Sequence, residues 1–183
     1  SVANGNGRDA RGERKVVRLK INGEHFVASE RATILDVARR EKIFIPTLCY
    51  DAKLASFGAC RVCMVGVEGA RGPVAACTTK VREGMVVHTQ DPVATRVAKG
   101  VVELVLSDYP KEALAREGER NELREVAAHF GLTESRFEGE RHAYTRDDRH
   151  PYIKVDMNEC IVCGRCVRAS VSASMPLRVC SVR

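Results

Sequence analysis

The chain has 183 residues, 44% of them hydrophobic and 30% charged, with a formal net charge of +6, eight cysteines and no tryptophan. That composition is too apolar for a disordered chain, and no apolar run approaches the roughly 20 residues of a membrane-spanning helix. The length allows one domain or two small ones, and it is enough to build a core without disulfides.

The basic excess gathers at the start, where Arg8, Arg11, Arg14, Lys15, Arg18 and Lys20 stand against Asp9 and Glu13. Residues 1–14 read as a flexible basic tail. They hold no apolar h-region, so no secretory signal is expected, and the missing initiator Met reads as a processed or absent N-terminus. No aromatic residue is interleaved with these bases to stack on, so a nucleic-acid partner is not expected.

Over 16–28, Val17, Leu19 and Ile21 alternate up to Asn22-Gly23, and a second extended run follows; this predicts a β-hairpin with a two-residue turn. Thr33 as cap, Asp36 in the first turn and an apolar stripe of Ile34, Val37 and Ala38 predict a short amphipathic helix to Arg40. A loop over 49–63 comes next, then strands over 62–67, 74–79 and 85–89. Asp91-Pro92 opens a helix that runs to about Ser107. A second helix is expected over 111–130, with Leu114, Leu123, Val126, Ala127 and Phe130 facing inward and Gly131 as its stop. Residues 133–150 read as a charged, turn-rich linker.

The cysteines fall into two groups separated by 82 residues: Cys49, Cys60, Cys63 and Cys77, then Cys160, Cys163, Cys166 and Cys180. Nothing points to an oxidising compartment, so metal ligation is favoured over disulfides. A zinc ribbon needs two C-x2-C knuckles, and the first group has one. One separate Cys, a close pair and a distant Cys is instead the pattern of a [2Fe–2S] site. Zinc and buried structural cysteines are the alternatives. Ala55, Ser56, Gly58, Ala59 and Gly66 are small residues expected to leave room there for inorganic sulfide.

The run IPTLCYDAKLASFGACRVCMVGVEGARGPVAACTTKVREGMVVHT resembles the N-terminal [2Fe–2S] domain of one extended family. That family comprises the large iron–sulfur subunit of respiratory complex I, the diaphorase subunit of NAD-reducing hydrogenases, and the alpha subunit of NAD-dependent molybdenum formate dehydrogenases. RGPVAACTT and GMVVHT look nearest to the formate dehydrogenase branch. The resemblance implies an α+β chain: a β-grasp [2Fe–2S] ferredoxin domain over 15–91, a helical segment over 92–132, the linker, and a partial bacterial-ferredoxin-like [4Fe–4S] module over 151–183.

In relatives of this kind the segment after the first domain carries a His-plus-three-Cys site for another cluster. Here Tyr109 stands at the His position, Ala113 and Arg116 at two Cys positions and Asn121 at the third, so no cluster is expected. In the last module Cys160, Cys163 and Cys166, with Gly164 in the turn, open a [4Fe–4S] loop. Three cysteines so close strain a tetrahedral zinc site. The fourth ligand is left open, because position 170 is Ser170. Cys180, Ser170, a partner subunit or no fourth ligand at all are the alternatives, with a [3Fe–4S] form for three thiolates. The family wording stops at Ala169, which reads as a truncated, frameshifted or split gene product.

The expected function is an electron-transfer iron–sulfur module, relaying electrons between a molybdopterin or flavin partner and NAD(H) in a larger oxidoreductase. No catalytic residue is expected in this chain alone, and there is no G-x-G-x-x-G or P-loop for a nucleotide. The resemblance implies flavin/NAD-binding and molybdopterin subunits as partners. It also implies a cytoplasmic placement, peripheral on the inner membrane as part of a complex. A non-redox, metal-stabilised interaction domain and a degenerate paralogue are the competing readings.

Overall fold

The structure is a computed structural model that describes residues 15–116, 118, 120–140 and 142–172. The basic tail expected over 1–14 and Cys180 lie outside the described residues. The described chain is mixed α+β and divides into two compact units, one of the described residues 15–47 and 56–98, the other of those in 48–55 and 99–172.

The first unit is built on a sheet in the order β2-β1-β5-β3-β4. β1 (Val16–Ile21) and β2 (Glu24–Ser29) form the expected hairpin, with Val16 opposite Ser29 and Ile21 opposite Glu24. Asn22 and Gly23 turn it with φ of 53° and 89°, the left-handed pair that a two-residue turn requires. Along β1 the side chains alternate, so Val17, Leu19 and Ile21 are buried while their neighbours face out. β5 (Met85–His88) runs parallel to β1, and β3 (Met64–Val67) pairs antiparallel to β5.

Helix α1 (Ile34–Arg40) starts at a reciprocal cap: the Thr33 hydroxyl accepts from the Asp36 N–H, and the Asp36 carboxylate accepts from the Thr33 N–H. Ile34, Leu35, Val37 and Ala38 are buried, joining Leu19, Ile21, Val62, Val65 and Val87 in the core of this unit. Two expectations need correction here. The strand predicted over 74–79 is only β4 (Val74–Ala75), because the N–H groups of Thr78 and Thr79 both turn back to the Ala75 carbonyl. The strand predicted from Val62 begins at Met64.

Helix α2 (Pro92–Asp108) is capped by Asp91, whose carboxylate accepts from the Ala94 N–H at 2.8 Å. Gly66 was expected to leave room at the cysteines; it makes room for this cap instead. A Cβ there would lie 2.7 Å from the Asp91 Cβ.

In the second unit the predicted helix over 111–130 is interrupted, giving α3 (Lys111–Ala115) and α4 (Glu122–His129). The chain leaves the helical path at Arg116, whose backbone is extended with ψ 117°, and Asn121 restarts it by accepting from the Arg124 N–H. The Arg124 guanidinium then satisfies the carbonyls of Leu114 and Arg116 at the end of α3. Leu123, Val126 and Ala127 are buried as expected, whereas Leu114 and Phe130 are half-buried. Gly131 stops α4 at φ 64°, with Leu132 N–H bonded back to Ala127 and Gly131 N–H to Ala128.

Residues 133–140 are pinned to α2, since Arg136 grips the buried Glu103 through two bonds of 2.7 Å. A 3-10 turn (Met157–Glu159) and α5 (Arg165–Ser172) flank the second cysteine loop. Among the described residues no helix is long and apolar enough to cross a membrane.

Candidate metal centre

Cys60, Cys63 and Cys77 belong to the first unit. Cys63 immediately precedes β3, and its carbonyl accepts from the Ala76 N–H at 2.9 Å, which brings the β3 entry beside the residue preceding Cys77. The loop around Cys77 is held from its other side by the start of α1. The N–H groups of Ile34 and Leu35, which have no partner within their own helix, donate to the carbonyls of Thr79 and Ala76. Cys63 and Cys77 are buried and Cys60 is half-buried. Between the close pair, Arg61 takes φ 54°. Upstream, Gly58 at φ 69° lies against Thr78, whose Cγ2 would be 3.0 Å from a Cβ.

Cys49 belongs to the second unit, on the segment 48–55, and is buried. Its carbonyl accepts from Arg168 of α5.

The second set is more open: Cys160 and Cys166 are exposed and Cys163 is half-buried. The loop bends through two left-handed residues, Val162 at φ 53° and Gly164 at φ 68°. Gly164 was singled out from sequence; Val162 was not, because its β-branched side chain disfavours that conformation. Arg61 in the first set and Val162 in the second are thus non-glycine residues at positive φ inside a C-x2-C spacing, each a cost of order 1–3 kcal/mol that local structure must hold in place. Arg165 sits beside Cys163 and pairs with Glu122 at 2.5 Å, and these two neighbours hold its guanidinium still more firmly protonated.

The positions where relatives were expected to carry a further cluster come together in this unit. Tyr109, Ala113, Arg116 and Asn121 line one cavity of about 450 Å³, together with Cys160 and Cys163. Protein groups tie its walls. The Asn121 amide donates to the Tyr109 hydroxyl at 3.0 Å, and Arg116 pairs with Glu159 at 2.8 Å. Burial pushes the Tyr109 hydroxyl above its ordinary pKa, against the opposing Asn121 bond. This network was not legible in the sequence, because Glu159 and Glu122 carry no motif of their own.

Among the described residues, no three His, Cys, Asp or Glu side chains are gathered as a single metal ion requires. A [2Fe–2S] cluster spreads four thiolates over two irons, so each iron calls for two protein ligands, not three. Thiolate donors, three of these four buried, suit iron–sulfide better than a hard cation.

Residues 14–92 match the model of the 2Fe-2S iron-sulfur cluster binding domain. The chain is 40% identical over 161 residues to the NADP-reducing hydrogenase subunit HndD of Solidesulfovibrio fructosivorans, covering 82% of this chain and 27% of that protein. It is 34% identical over 174 residues to an NADH-quinone oxidoreductase subunit of Streptomyces coelicolor, covering 93% of this chain and 21% of that one. The chain thus spans about a quarter of the length of these curated relatives. A solved NAD+-reducing [NiFe]-hydrogenase superposes with a TM-score of 0.74 at 26% identity, covering 86% of this chain and 67% of the other. These names lie in the complex I and hydrogenase branches of the expected family, and not in the formate dehydrogenase branch that the wording suggested. Residues 14–92 thus carry the 2Fe-2S iron-sulfur cluster binding domain, and the chain is an iron–sulfur electron-transfer domain resembling the N-terminal part of NADH-quinone oxidoreductase and NAD-reducing hydrogenase subunits.

Proposed function

We propose that Cys49, Cys60, Cys63 and Cys77 ligate a [2Fe–2S] cluster in a β-grasp domain, and that this chain serves as a relay in a larger NAD(P)-linked oxidoreductase. The observation that carries the reading is that all four cysteines fall inside the matched residues 14–92, three of them buried. When bound, the cluster supplies one-electron redox chemistry at low potential, near roughly −400 mV in plant-type ferredoxins. The polypeptide's part is to hold four thiolates and to keep water away from the buried ones. The backbone at Cys77 is fixed by α1, and that at Cys63 by its bond to Ala76.

The second set, Cys160, Cys163 and Cys166, belongs to the same proposal as a partial [4Fe–4S] module whose fourth ligand is unassigned. The greater exposure of this set suits a cluster that exchanges electrons with a neighbouring subunit. The relatives' names are those of subunits, which supports an assembly; flavin/NAD-binding and molybdopterin partners, and a cytoplasmic, membrane-peripheral placement, are the finer reading.

The test is iron and acid-labile sulfide per chain, with low-temperature paramagnetic resonance after dithionite reduction. About two irons and two sulfides from the first set and a rhombic signal are expected. A colourless protein carrying zinc would overturn the reading.

A further inference from the structure

We propose that Arg168 is a positioning residue for the [2Fe–2S] centre: it tethers the Cys49 backbone to the helix that follows the second cysteine set, and its charge raises the centre's reduction potential. This rests on the reading above that Cys49 is a cluster ligand.

Arg168 lies two residues beyond Cys166, in the first turns of α5. Its guanidinium donates from Nη1 to the Ala55 carbonyl at 2.6 Å and from Nη2 to the Cys49 carbonyl. One planar fork thus joins two carbonyls of the segment 49–55. Helix propensity does not require this arrangement, since α5 would form equally well with its arginine in solvent. The motif explains Cys49 and Cys166 but not the residue that links them.

The electrostatic consequence follows from where the fork lies. Cys49 is 1% exposed and Arg168 is half-buried, so solvent and salt screen the interaction weakly. The carboxylate within the segment, Asp51, is turned to the Lys53 N–H at 2.8 Å, and Lys53 contributes an opposing charge. Reduction takes one electron from an external one-electron donor, adds one negative charge to the centre, and makes or breaks no bond. A fixed cation at a ligand's carbonyl therefore stabilises the reduced state more than the oxidised one.

The experiment uses the full chain, native and as Arg168→Gln and Arg168→Lys, loaded with iron and sulfide and titrated potentiometrically by its rhombic resonance signal. In Arg168→Gln the reduced-to-oxidised ratio at the native midpoint is expected to fall about tenfold, which is about 59 mV for one electron. Arg168→Lys, which keeps the charge, is expected to retain the native midpoint. A Gln variant with native iron content and an unchanged midpoint overturns the proposal. If the Gln variant does not load, the Lys variant decides: loading at the native midpoint shows that a cation at this position holds the centre and supports the proposal, whereas a tenfold displacement overturns it. A native chain that takes up no iron is a different result, and it would refute the ligand assignment itself.

Discussion

Asn121 is the residue on which the bonds around the Tyr109 cavity can be tested most directly. Its side chain does two jobs: the amide oxygen caps α4 by accepting from the Arg124 N–H, and the amide nitrogen donates to the Tyr109 hydroxyl. In Asn121→Ala the lost cap costs about 1 kcal/mol. Removing the donor from Tyr109, which is 8% exposed, costs about another 1 kcal/mol. The sum, about 2 kcal/mol, corresponds to a urea midpoint lower by about 1 M at a typical slope for a small protein.

Asn121→Asp keeps the cap and loses the amide donor, so it is expected to cost about half as much. Tyr109→Phe in the Asn121→Ala background is expected to cost about 1 kcal/mol less than in the native background, because the partner is already gone. The assay is urea unfolding followed by far-ultraviolet circular dichroism, since the chain has no tryptophan to report by fluorescence. An Asn121→Ala midpoint within error of native, or strictly additive single and double variants, would refute the claim that this network holds the segment together.

Three further outcomes follow from particular contacts. Gly139→Ala should destabilise the second unit by about 1–3 kcal/mol, because its Cβ would lie 2.7 Å from the Ser107 carbonyl carbon and overlap an Asp108 carboxylate oxygen; thermal unfolding checks this, and a native melting temperature sinks it. Arg136 holds the Glu103 carboxyl below its ordinary value of 4.5, so the stabilisation is present above that pH and is lost as pH falls through the depressed folded value. Glu103→Gln should accordingly be less stable than native at pH 7 and approach it in acid; parallel urea curves with a pH-independent gap would count against this. Val162→Gly, at an 84% exposed position with φ 53°, should relieve about 1 kcal/mol of backbone strain without loss of packing, measured as protection of the 160–166 amides from hydrogen exchange; unchanged protection would tell against strain at this position.

The parts of the molecule legible in the sequence are those whose cause lies within a few residues. Asn22-Gly23 turns its hairpin, Thr33 and Asp36 cap each other, Asp91 opens α2 and Gly131 ends α4, all through bonds spanning five residues or fewer. The two cysteine sets were legible for a similar reason, because close ligand spacing is itself a local pattern. The features that depended on tertiary structure join residues far apart in the chain. Glu103 is buried on an otherwise apolar face of α2 because Arg136, 33 residues later, meets it. The expected helix over 111–130 is interrupted because Arg124 can close the end of α3 from the next helix, and Gly66 is required by an aspartate 25 positions on. Arg168 reaches Cys49 across 119 residues. Local spacing specifies which groups can act; only the folded chain decides which distant group each one meets, because such pairing is set by the packing of whole elements.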